Sequence, residues 1–129
     1  MRVTSYMDIE SYYKNLNISI ANLEKLGVTI LITGYLLFIY SSDVEIGEII
    51  TDEEANISPA DILYFGQTLV AIGYFILLVV SENRTTEDFL NILGENINAR
   101  KKVTLSYMLS LIANIIRLQG FYELVNDIK

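Results

Sequence analysis

Charged and uncharged stretches alternate along the chain on the scale of a bilayer. No charged residue occurs from Leu26 to Ser42 or from Ile62 to Ser81, and from Val103 to Tyr122 the one interruption is Arg117. A hydrocarbon core about 30 Å thick is crossed by roughly 20 apolar residues at about 1.5 Å rise each. The three runs therefore predict spans at 23–42, 59–81 and 103–122. The first reaches spanning length by including Leu23, the stem of Lys25 and an interfacial Tyr40, since a lysine near a helix end extends its ammonium to the water boundary. A soluble helix of such length would show a polar stripe, and 62–81 offers Gln67, Thr68 and small residues. The third run gathers Ser106, Ser110, Ala113, Asn114 and Arg117 on one face. That face is small and uncharged except at one end, so the run is expected to span rather than lie in the interface. The pattern predicts an all-α membrane protein with two to three transmembrane helices, folded as a single domain over 1–129.

The flanking segments carry their own periodicities. Ser5 and Asp8 have capping-box spacing, and Ile9, Tyr12, Leu16, Ile20 and Leu23 follow at helical intervals, which predicts a short amphipathic helix over 6–20. A second one is predicted over 87–98, with Phe89, Ile92, Leu93 and Ile97 on one face, before the basic Arg100, Lys101 and Lys102. Between the first two spans, 43–61 contains acids and neither lysine nor arginine, which predicts a solvated acidic loop. It closes on Ser58, Pro59 and Asp61, an N-cap, a residue suited to the first helical position and an acid that favours the helix dipole. Lysines and arginines set orientation. They occupy the N-terminal segment (Arg2, Lys14, Lys25) and the loop after the second span, so these are expected in the cytoplasm and the acidic loop outside the cell membrane. The first twenty residues lack the apolar core of a secretory signal, so the first span is expected to direct insertion.

An internal repeat is expected in the first two spans. Residues 17–35 (NISIANLEKLGVTILITGY) align without a gap on 56–74 (NISPADILYFGQTLVAIGY), sharing Asn, Ile, Ser, Ala, Gly, Thr, Gly and Tyr. A weaker third copy begins at Asn96. Seven residues return to nearly the same helix face, with a drift of only about 20°. Gly27, Gly34 and Ser41 therefore form one small-residue stripe, Gly66 and Gly73 a second, and Ser106, Ala113 and Gly120 a third. Helices in lipid have no hydrophobic force driving them together and associate where small residues let backbones approach. The stripes are the expected packing seams. Thr29 and Thr68 lie on the opposite face and are expected to bond the carbonyl one turn back. Tyr35 and Tyr74, next to the second glycines, are expected to turn toward another helix or an interface.

Composition narrows the chemistry. The chain has 129 residues, 52% hydrophobic, with a formal charge of -7 and a mean hydropathy of +0.39. It has no cysteine and no histidine, which removes disulfides, thiolate catalysis, and the commonest general base and transition-metal ligand. Asp52, Glu53 and Glu54 lack the alternating spacing of a calcium loop. Asn17, Asn56 and Asn83 head Asn-x-Ser/Thr triplets, two of which belong to the repeat. The strong polar groups at membrane depth are Gln67, Asn114 and Arg117; Asn114 is expected to bond across a helix interface and Arg117 to extend outward. No phosphate-binding loop, nucleophile elbow or basic nucleic-acid face is present.

These features predict a protein that is not an enzyme, holds no cofactor or metal, and has no evident small-molecule substrate or nucleic-acid partner. Its expected partners are the lipid bilayer and other membrane proteins, or copies of itself. The leading expectation is a scaffold or anchor in a membrane complex; the alternatives are a small channel or holin-like pore and a soluble helical interaction module. In size and span number the chain resembles phage holins in outline, although many of those end in a basic tail and this chain ends in YELVNDIK.

Overall fold

In the computed structural model, which describes residues 2–90 and 97–128 and the side chains of 8–86 and 98–127, the chain is all-helical. Helix α1 covers Arg2–Thr51, α2 covers Pro59–Leu90 and α3 covers Ile97–Ile128. Each contains a stretch long and apolar enough to cross a membrane: Asp8–Thr51, Pro59–Thr86 and Asn98–Asp127.

The helices overrun the predicted spans. At 50 residues α1 is about 75 Å long, so the amphipathic segment 6–20 is not a separate helix. It is the first part of α1, because nothing between Asn17 and Leu26 breaks a helix and Ala21, Leu23, Glu24 and Lys25 all favour one. The second amphipathic segment, 87–98, is divided: 87–90 continue α2, Ile97 opens α3, and 91–96 lie outside the described residues. The acidic loop is also shorter than 43–61. Asp43, Glu45 and Glu48 stand on the last turns of α1, which runs to Thr51.

Two caps fix the turn. Asp52 adopts a left-handed φ of 57° and its amide donates to the Glu48 carbonyl (2.8 Å), closing α1 as a C′ residue does. The Glu48 carboxylate then accepts the Ala55 amide (2.8 Å). On the other side the Ser58 hydroxyl accepts the Ala60 amide (3.2 Å) as the N-cap of α2, with Pro59 in the first helical position.

Helix α2 is the centre of an open arrangement. It packs antiparallel on α1 along one side and on α3 along the other, and among the described residues no α1 Cα lies within 8 Å of one in α3. The outer pair meets through side chains, with the Phe38 and Phe121 rings edge to face at 6.3 Å. Burial follows this order: 33% of the α2 apolar window is buried, against 11% for each flanking helix. Ile62, Val70, Leu77 and Val80 of α2 form the core, joined by Ile20 of α1 and Val125 of α3. Leucines, isoleucines and tyrosines along the outer faces of α1 and α3 stay exposed, as lipid-facing side chains do.

Candidate functional site: two unlike helix seams

The α1–α2 seam is a contact of backbones. A Cβ placed on Gly34 would sit 2.6 Å from the carbonyl oxygen of Gly66, and one on Gly66 would sit 2.9 Å from that of Gly34. One helical heptad away, a Cβ on Gly73 would lie 3.0 Å from the Gly27 oxygen, and one on Gly27 would lie 2.9 Å from Ile76 Cγ2. A Cβ at Gly34 or Gly66 would collide with fixed backbone, so glycine is required there by proximity and not by φ, which is ordinary at all four of these glycines. The seam continues to Ser41, which is buried and donates to the Pro59 carbonyl (2.8 Å). Seven residues forward along α1 thus match seven residues back along α2. The pairing is reciprocal between the two aligned segments: the first glycine of one meets the second glycine of the other, as self-complementary surfaces around a two-fold axis do.

The α2–α3 seam is held by hydrogen bonds instead. Gln67, fully buried, donates through Nε2 to both the backbone oxygen (3.0 Å) and Oδ1 (2.8 Å) of Asn114. Asn114 Nδ2 in turn donates to the Ser110 carbonyl (2.7 Å). The two backbone carbonyls can only accept, which fixes the orientation of both amides. It also leaves Gln67 Oε1 buried without a partner. Nearer the other end, Ser81 and Thr104 share a 2.6 Å bond between hydroxyls. Tyr64 and Tyr122 close the opposite end edge to face at 5.8 Å, where tyrosines are expected at a membrane boundary.

Gly66 and Gln67 are adjacent in sequence and face different neighbours. One position serves close approach to α1 and the next a polar bond to α3. The third stripe takes part in neither seam: Ser106, Ala113 and Gly120 are exposed, and a Cβ on Gly120 would meet nothing within 4 Å. Its expected packing role therefore has no counterpart among the described residues, because Asn114, one residue round from Ala113, turns the neighbouring face of α3 toward Gln67. Arg117 is likewise exposed. Thr29 and Thr68 each bond the carbonyl four residues back, to Lys25 (2.7 Å) and Tyr64 (2.9 Å), so these hydroxyl protons are used within their own helices. Tyr35 of α1 is edge to face with Phe38 at 5.5 Å.

The sequence reading missed the tie at the other margin of the bilayer. Arg84 of α2 bonds Glu24 of α1 at 2.7 Å, a pair that distance in sequence concealed. Charge is divided along the chain. Segments 1–25 and 82–102 carry seven acids and seven bases, whereas 43–61 and 117–129 carry nine acids and two bases, so the entire formal charge of -7 belongs to the latter two segments. Despite the acids there, no group of three or more possible metal ligands comes together among the described residues. No known protein family, curated protein or solved structure matches the chain.

Proposed function

We propose that this chain is a non-catalytic subunit of the cell membrane, a scaffold or anchor that assembles with other membrane proteins or with copies of itself. The observation that carries the reading is the openness of the three-helix arrangement. Two of three spans keep most of their surface outward, and the outward face of α3 bears a small-residue stripe like the one that α1 uses to meet α2. Small residues at heptad spacing lower the cost of bringing helices together in lipid, and a subunit built for assembly needs such faces left free. The polar groups inside the chain are turned to holding helices, with Gln67 on Asn114 and Ser41 on Pro59. The α1–α2 hairpin derives from duplication of one span whose glycine stripe packs on itself. The basic segments face the cytoplasm and the acidic turn faces out, following the distribution of lysine and arginine.

The test is to isolate the chain from native membranes in mild detergent and to reconstitute it alone in vesicles. A stable co-purifying membrane protein or homo-oligomer, without ion flux from the vesicles, is the expected result. Flux with no stable partner would replace this reading with that of a pore.

A further inference from the structure

Where α2 and α3 leave the apolar zone at the basic end, a groove of about 260 Å³ opens between them, lined from α2 by Glu82, Thr85 and Thr86 and from α3 by Lys101, Leu105 and Met108. Its lining is graded. Glu82, Thr85, Thr86 and Lys101 lie just beyond the uncharged runs that end at Ser81 and begin at Val103, while Leu105 and Met108 lie within the apolar zone and are exposed. A molecule seated there has a polar part at the water boundary and an apolar part in the bilayer.

The hydrogen-bonding state of the lining selects the polar part. Thr85 donates to the Ser81 carbonyl (3.0 Å) and Thr86 to the Glu82 carbonyl (3.1 Å). Both hydroxyl protons are committed, so these oxygens offer lone pairs only. Thr104 is engaged with Ser81 and lies 3.5 Å from Thr85. The groove thus presents acceptors on the α2 side, including the Glu82 carboxylate, and one cationic donor, Lys101, on the α3 side. Among the described residues neither of these charges is ion-paired. Neither a purely anionic nor a purely cationic headgroup satisfies both walls. A zwitterion does, if its cation can donate hydrogen bonds: a primary ammonium toward Glu82 and the threonine oxygens, and a phosphate toward Lys101.

We propose that this groove binds the headgroup of an ethanolamine phospholipid, with the glycerol and first acyl carbons against Leu105 and Met108. Choline lipids carry the same phosphate, but their quaternary ammonium cannot donate to the acceptors. Glycerol lipids bring a net negative charge against Glu82.

The test uses the full chain in detergent with equimolar dioleoyl phosphatidylethanolamine, phosphatidylcholine and phosphatidylglycerol, and counts lipids retained by native mass spectrometry. The ethanolamine lipid should be retained about tenfold over the choline lipid, the factor supplied by one net charge-assisted hydrogen bond. Glu82→Gln should bring that ratio toward one and leave choline-lipid retention unchanged. Lys101→Gln should lower both together and leave the ratio intact. Both positions are exposed, and an unchanged helical circular dichroism spectrum confirms folding. Strongest retention of the glycerol lipid, or an ethanolamine preference that survives Glu82→Gln, overturns the proposal. So does displacement of the lipid by an equal concentration of free O-phosphoethanolamine, which would identify a soluble phosphoester site instead.

Discussion

A single methyl group at Gly34 tests the account of the α1–α2 seam. In Gly34→Ala the new Cβ would lie 2.6 Å from the Gly66 oxygen and 2.7 Å from Val70 Cγ2, where ordinary contact begins near 3.4 Å. A backbone oxygen cannot rotate aside, so the helices must separate by about 0.8 Å at that level, a gap that forfeits a quarter to a half of each dispersion contact. If the seam holds as many contacts as one buried leucine, about 50 at about 0.15 kcal/mol each, the loss is about 2–4 kcal/mol. Alanine returns about 1 kcal/mol of helix propensity. The variant should therefore destabilise the hairpin by about 1–3 kcal/mol.

Gly47→Ala is the matched control, since Gly47 is in the same helix and its Cβ would meet nothing within 4 Å. It should be neutral or stabilise by up to about 1 kcal/mol. The chain has no cysteine, so a donor–acceptor pair attached at exposed Leu36 and Phe65 reports hairpin opening as sodium dodecyl sulfate is titrated into mild detergent. If the two alanine variants shift the midpoint alike, the backbones do not touch at Gly34 and the reasoning fails.

Three further outcomes follow from the same geometry. Gln67→Ala and Asn114→Ala should each loosen α3 from α2, with a coupling in the double-mutant cycle of about 0.6 and at most about 1.7 kcal/mol, the average and the maximum for hydrogen bonds between helices in membranes; additive effects would show that the amides do not bond. At the left-handed Asp52, Asp52→Gly should hold or raise the thermal midpoint in detergent, while Asp52→Val should cost about 1–2 kcal/mol from the clash of a branched Cβ; the reverse order would contradict the C-cap. Cysteines replacing Glu54 and Asn98 should respond oppositely to a membrane-impermeant thiol reagent on intact cells, with only the first labelled, and equal labelling would reject the orientation.

The class of fold, and the places where helices touch in the first pair, are legible in the order of residues alone. Uncharged runs of about twenty residues, twice what a barrel strand needs, select helix in lipid, and Gly27, Gly34, Gly66 and Gly73 have no role in a spanning helix as direct as close approach. The Ser58–Pro59 start was equally legible, because a cap is a local device. The ends of α1 were not. Periodicity marks an amphipathic segment, but whether it continues into a span depends on the absence of any stop, and the acidic residues of 43–51 are compatible with helix and loop alike. Which stripe meets which emerges only from the packed helices. Gly27 pairs with Gly73 and Gly34 with Gly66 because α2 runs antiparallel to α1, and no spacing within one copy encodes that register. The same spacing in α3 leads elsewhere: Ser106, Ala113 and Gly120 turn outward because one buried amide, Gln67, has Asn114 as its partner. In lipid an unbonded amide costs more than a small-residue contact gains, so the polar pair sets the rotation of α3 and the stripe follows.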